Sequence, residues 1–278
     1  MFLRRRNEQR KVFRLDRLSQ SALGQDKHDR PVEVDDRWEM ITGTLGRWRR
    51  RVPVLGILKW TGISVLSLLL IIHMYAMALA LMLPPTTANM IGSRLVGAEV
   101  TRTSIPLERI SPNLVQAVIA AEDSRFCEHG GVDFDAIQQA LAERRAGGRL
   151  RGASTISQQT AKNVFLWNGG GFARKGAEAW MTLVGEQIWG KARTMEIYLN
   201  VAEWGDGIYG AEAAAQARFG KSAQDLTSRE AALLAAVLPS PNNWRLDPPT
   251  SYVSGRANTI QQRMAIVRRD GLDACVLQ

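Results

Sequence analysis

The chain has 278 residues, a formal net charge of +9, three histidines and two cysteines. That length suffices for one domain with a real core plus appendages, while two cysteines are no disulfide framework and no Cys/His cluster stands at zinc spacing. The charge is lopsided: residues 1–59 hold 15 Lys/Arg against 8 Asp/Glu, and the remainder holds 21 against 19. A basic segment that leads directly into an apolar one points to a membrane surface and away from nucleic acid.

Residues 1–50 are rich in Arg, Asp, Gln and Ser with few apolar positions, which predicts a disordered or loosely helical tail whose cations can meet anionic lipid heads. Trp60 to Leu83 then runs 24 residues without Asp, Glu, Lys or Arg. As a helix it spans roughly 36 Å, enough for a hydrocarbon core of about 30 Å. Its eleven Leu, Ile and Val contribute roughly −3 to −7 kcal/mol to insertion, which outweighs the one polar His73. Arg47, Arg49, Arg50, Arg51 and Lys59 precede the run, whereas the next cations after it are Arg94 and Arg102. The positive-inside rule therefore puts residues 1–59 in the cytoplasm and residues 84–278 outside. The run starts too far in and is too long for a cleaved signal peptide.

Residues 84–105 read as an extended connector, and 106–278 as the exported domain. Ser111-Pro112 is a helix start, with Leu114, Val115, Val118, Ile119 and Glu122 following at helical spacing. Asp133 caps a second helix through Leu141. Residues 143–151, with four arginines, read as a mobile basic loop. Thr155 with Gln158 forms a capping-box pattern for a third helix. Residues 173–189 and 191–200 read as two further helices, and Thr227 with Glu230 starts another that stops at Pro239. Strand signals are scarce, so the domain is expected to be mostly α. Trp204 and Trp244 are read as surface residues open to partner proteins. Cys127 and Cys275 could pair in an oxidising compartment, but two free or buried thiols are the default expectation, because the sequence does not place their Cα atoms within bonding range.

Two short motifs carry the chemistry. Glu122-Asp123-Ser124-Arg125-Phe126-Cys127-Glu128-His129-Gly130 begins with a carboxylate at the rim of an apolar helix, where desolvation raises its pKa toward that of a general base; the ordinary alternative is a solvated acidic pair with Asp123. Gly152-Ala153-Ser154-Thr155-Ile156-Ser157-Gln158-Gln159-Thr160-Ala161-Lys162-Asn163 follows. Its Ser154, Gln158, Gln159 and Lys162 suit sugar hydroxyls and a phosphate near the helix N-terminus, or simply form a polar helix face. Arg174 and Glu178, four apart, are either a surface ion pair worth roughly 0.2–0.5 kcal/mol or a phosphate clamp with a managing carboxylate.

These motifs, with Arg174-Lys175-Gly176-Ala177-Glu178 and Lys191 to Asn200, resemble in order and spacing those of the peptidoglycan glycosyltransferases of glycosyltransferase family 51, over about residues 100–250. Residues 152–163 and 202–207 look closest to the monofunctional biosynthetic members. No Ser-x-x-Lys, Ser-Asp-Asn or Lys-Thr-Gly of the bifunctional relatives' transpeptidase domain occurs, and too little chain remains to hold that domain.

The resemblance implies a lysozyme-like helical domain with a small membrane-proximal jaw lobe, tethered to the inner membrane, that polymerises lipid II into β1,4-linked strands with inversion. Glu122 would be the base and Glu178 the second catalytic carboxylate near the donor pyrophosphate. Lys162 and Arg174 would bind the donor phosphates, with Ser154, Gln159, Lys175, Asp123 and His129 as further substrate-binding positions. No metal ligands and no organic cofactor are implied; magnesium or manganese is the one candidate for offsetting residual pyrophosphate charge. Implied partners are lipid II, the growing strand, membrane lipid and cell-wall synthesis or division proteins. The competing readings are a lysozyme-like glycan hydrolase, which has no pyrophosphate to hold, and a non-catalytic scaffold of wall synthesis.

Overall fold

A computed structural model describes residues 54–148, 152 and 154–277. The basic tail and the centre of the basic loop, residues 149–151, lie outside the described residues. The apolar run forms one helix, α1 (Val54–Leu81), six residues earlier at its start than the uncharged run. Lys59 is tolerated because its long stem lets the ammonium stay near the interface. The helix ends shortly before Pro84-Pro85, as the backbone preceding proline disfavours helical angles. Its flanks are largely exposed, with Leu66 at 68% and Leu70 at 61%, and its mean hydropathy of 2.2 over 18 residues suits a membrane span.

The last turns of α1 are different. Ala76 and Leu79 are buried in a cluster with Met90, Val164, Trp189, Ile197, Val201 and Tyr209. Trp189 Nε1 donates to Ala76 O at 2.8 Å and Arg193 Nε to Leu79 O at 2.9 Å. Arg102 Nη1 donates to Pro84 O at 2.6 Å. Of the three acceptors, Leu79 O is one that a helix end leaves without an intrahelical partner.

The stretch expected as an extended connector holds a helix, α2 (Ala88–Leu95). Thr87 caps it by accepting from Met90 N, and burial of Met90 fixes it to the domain. The connector then forms β1 (Thr101–Arg102), which pairs in parallel with β3 (Ile208–Tyr209); β2 (Glu203–Gly205) pairs antiparallel to β3. In the turn between β2 and β3, a Cβ on Gly207 would lie 2.0 Å from Glu99 O and φ is +70°, so only glycine fits.

The rest is helical. Helix α3 (Pro112–Glu122) begins with Ser111 accepting from Asn113 N and with Pro112 in the first turn. Leu114 to Ala120 are all buried, because α3 is wrapped by α8 (Ser228–Val237) and α9 (Ser251–Arg269). Helix α4 (Phe134–Arg145) is capped by Asp133 and runs four residues past Leu141. Helix α5 (Ile156–Phe165) and helix α8 both carry the full capping box expected of them. Helix α6 (Phe172–Val201) is two helices in series, as expected, joined across Gly190, whose φ of 65° and ψ of −176° are not helical. Helix α7 (Ala211–Phe219) ends on the left-handed Gly220.

Two expectations fail on long-range packing. Trp204 is fully buried in the main core, while Trp244 packs edge-on to Tyr252 at 5.1 Å, so the first is not a surface residue. Cys127 and Cys275 form a disulfide with Cα atoms 5.6 Å apart across 148 positions. Helix α9 runs antiparallel to α3, with Arg256 beside Glu122 and Arg268 beside Gln116, and the disulfide joins the turns that follow the two helices.

Candidate active site

Glu122 is the last residue of α3, where the apolar helix reaches the surface of a cleft. The cleft, of about 580 Å³, is lined by Glu122, Asp123, Ser154, Gln159 and Arg256 among others. Gln159 Nε2 donates to Glu122 Oε2 at 2.8 Å, and the Tyr198 hydroxyl donates to Gln159 Oε1 at 3.3 Å. Arg256 Nη2 stands 3.8 Å from Glu122 Oε1. Burial raises the Glu122 pKa above the ordinary carboxylate value, and Asp123 adds to the rise; Gln159, Arg256 and Lys162 oppose it. A carboxylate of raised basicity with an open face is equipped to take a proton.

Beyond Gln159, α5 and α6 assemble cations around the second glutamate. Glu178 is buried, with 3% of its side chain exposed. Arg174 Nη1 donates to Glu178 Oε2 at 2.7 Å, and Lys175 Nζ donates to Oε1. Lys175 Nζ also reaches Ser154 Oγ at 3.2 Å. Lys162 lies in the field of Glu178, Arg174, Lys175 and Glu122; burial lowers its pKa first and Arg174 and Lys175 lower it further, against the two carboxylates. Three cations against one buried carboxylate leave a net positive wall, which attracts a phosphorylated group. Arg174 and Glu178 are thus more than an exposed i, i+4 pair.

Asp123 and His129 brace the cleft from behind. His129 Nε2 lies 3.1 Å from both Asp123 oxygens, and Asp123 Oδ2 accepts from Ile156 N at 3.0 Å. The N-terminus of α5, expected to meet a substrate phosphate, therefore already holds an anion of the protein itself. Gln158 is likewise engaged, its side chain accepting from Thr155 N in the cap. Lys191 Nζ donates to His129 O at 2.6 Å, which ties the turn to α6. Gly131 sits at φ +92° with its Cβ position 3.0 Å from Thr182, so this turn requires glycine.

Sequence reasoning missed Arg256 and Tyr198. Tyr198 reads as an ordinary apolar position of α6. Arg256 lies beyond residue 250, outside the stretch over which the family resemblance was read. Its one signal was local: it adjoins the buried stripe Val253, Ala257, Ile260, Met264 and Val267, whose spacing marks the inner face of α9. Among the described residues no group of three or more His, Cys, Asp or Glu is arranged to hold a metal ion.

A helical domain with one basic carboxylate in a cleft beside a cationic wall has the parts of an enzyme that transfers a sugar from a phosphorylated donor. Residues 88–265 match the family model described as transglycosylase. The chain is 58% identical over 196 residues to the biosynthetic peptidoglycan transglycosylase of Rhodospirillum centenum, covering 70% of this chain and 85% of that one. It is 51% identical over 193 residues to the protein of that name from Caulobacter vibrioides, with 69% and 84% covered. Against the one from Shewanella amazonensis the identity is 46% over 213 residues, with 75% and 87% covered. The chain belongs to the transglycosylase family.

Proposed function

We propose that this protein is a membrane-anchored peptidoglycan glycosyltransferase that polymerises lipid II into β1,4-linked glycan strands. The observation that carries this reading is the pairing of Glu122, basic and facing the cleft, with the Lys162, Arg174 and Lys175 cluster on α5 and α6. Glu122 takes the proton from the 4-hydroxyl of the incoming lipid II. The oxygen attacks C1 of the growing strand from the face opposite its pyrophosphate, so the new bond forms with inversion. The C1–O bond to the pyrophosphate breaks, and the leaving group departs with the electron pair. Lys162, Arg174 and Lys175 hold the charge that develops there, a stabilisation typically worth orders of magnitude in rate. Glu178 keeps Arg174 and Lys175 aimed and is the second catalytic carboxylate. Asp123 and His129 act by positioning the turn and α5. The mechanism uses no organic cofactor, and magnesium or manganese would serve only to offset the remaining pyrophosphate charge.

The anchor places the cleft at the lipid headgroups, which suits a substrate whose polyprenyl tail costs about 0.8 kcal/mol per CH₂ to expose. The basic flank of α1 supports a cytoplasmic N-terminus and a periplasmic domain, with a lobe resting on the inner membrane and lysozyme-like helices above it. The disulfide supports the same side, because such bonds persist in oxidising compartments. A reporter fused after Gln278 should be active only outside the cytoplasm.

Incubation of the full chain with lipid II in detergent or vesicles tests the reading, with and without a chelator. Long glycan strands and released undecaprenyl pyrophosphate are expected. Unchanged lipid II would refute it, and shortening of pre-formed glycan instead would indicate the hydrolase.

A further inference from the structure

The cleft does not end at Glu122. A second hollow of about 410 Å³ runs along α9, lined by Tyr252, Gly255 and Thr259, and it shares Ala121, Arg256 and Arg263 with the cleft. Arg256 and Arg263 are seven residues apart, two turns along one face of the helix, or roughly 10 Å. Arg256 is committed: its Nε donates to Ala236 O at 3.1 Å and its guanidinium lies 5.9 Å from the Trp244 ring centroid while facing Glu122. Arg263 is exposed and makes no hydrogen bond or ion pair among the described residues.

Gly255 adjoins Arg256 inside the first turns of α9 and lines the same hollow. A Cβ built there meets nothing within 4 Å, and its φ is not in the positive range. Neither packing nor backbone geometry requires glycine, and alanine is the better helix former. What the missing side chain provides is room over the helix beside Arg256, in the hollow that Arg263 also lines.

We propose that this groove is the binding site for the peptide stem of the acceptor lipid II, with Arg263 taking a stem carboxylate and Gly255 leaving the peptide its path. The proposal rests on the lipid II reading above. A five-residue peptide, extended, spans about 17 Å, enough to run from a sugar at Glu122 past Arg256 to Arg263, and it ends in a carboxylate. The acceptor's own pyrophosphate is the other anion to weigh, and the packing argues against it. The end of α1 is bonded to α6 through Trp189 and Arg193, whereas α9 packs on α3 and α8. A lipid-linked pyrophosphate stays with the bilayer and the helices beside the anchor. The part of the acceptor that can reach α9 is the part that projects away from its lipid.

The test crosses variants with substrates, using the full chain. The substrates are lipid II with the intact pentapeptide and lipid II with every stem carboxylate amidated. For intact substrate, Arg263→Gln is expected to raise the apparent KM about tenfold with kcat nearly unchanged, in line with loss of one hydrogen-bonded charge pair. Arg263→Lys should restore most of that loss. For amidated substrate, the wild type should already show the raised KM and Arg263→Gln should add less than about twofold. Gly255→Leu, which the fold has space for, should impair use of both stem-bearing substrates and leave a stem-free lipid-linked disaccharide unaffected. An equal loss on intact and amidated substrates would assign Arg263 to the pyrophosphate and overturn the proposal, as would no loss on either. Wild-type turnover is the separate readout: if the unmodified chain polymerises none of these substrates, the lipid II reading itself fails.

Discussion

Removing the Cys127–Cys275 bond is the sharpest available test of the fold. The bridge closes a loop of 148 positions. Chain-entropy arithmetic for that length gives about 17 cal/mol/K, or about 5 kcal/mol at 25 °C, as the stabilisation from restricting the unfolded chain. Native disulfides removed from other proteins cost about 2–5 kcal/mol, so the double variant Cys127→Ser/Cys275→Ser should lose that much. For a domain of this size the loss corresponds to roughly 4–20 °C in Tm. The assay is urea unfolding of the full chain in detergent, followed by tryptophan fluorescence, since Trp189, Trp204 and Trp244 all belong to the folded domain. Reductant should bring the parent protein to the variant's midpoint and leave the variant where it is. A change below about 0.5 kcal/mol, the range of an ordinary surface substitution, or a variant that still responds to reductant, would refute the reasoning.

Glu122→Gln should lower polymerisation at least about 100-fold, the low end for a lost general base. It should not destabilise the fold. Burial raises the Glu122 pKa, so the folded state favours the protonated form, and that contribution is full below the unfolded pKa and lost as pH rises through the folded one. At neutral pH the variant should therefore be at least as stable as the parent, with the difference shrinking as pH falls toward 4.5; lower stability at pH 7 would contradict the assignment. Gln159→Leu removes a donor that favours ionised Glu122, so the acid limb of kcat/KM should move to higher pH, and Tyr198→Phe should move it the same way by less. An unmoved limb would remove Gln159 from control of the base. Lys162→Ala should weaken binding of a pyrophosphate-bearing donor analogue roughly ten- to hundredfold, and unaltered affinity would end its phosphate role.

What the sequence disclosed was local. The caps at Ser111, Thr155 and Thr227 are written within four residues of the helices they start, and each appears where expected. The apolar anchor is a property of composition over one stretch. Glu122, Lys162, Arg174 and Glu178 were singled out by motifs on α3, α5 and α6, and the structure brings those motifs together. Arg256 was not, because the contact between α9 and α3 joins residues more than a hundred positions apart. The disulfide and the burial of Trp204 failed for the same reason. The connector was misjudged differently: Thr87 is a sound cap, but α2 is only eight residues long, too short to stand without Met90 inserted into the core. The break anticipated at Gly190 is present, where non-helical backbone separates the two halves of α6.

The stitching of Trp189 and Arg193 onto the backbone of Ala76 and Leu79 makes the tether part of the folded body. On the proposed reading the Glu122 carboxylate consequently rides at one height above the lipid, and a lengthening strand slides past it. For the same reason a water-soluble form trimmed just before the proline pair would lose Ala76 and Leu79 and lay open the apolar cluster they cover.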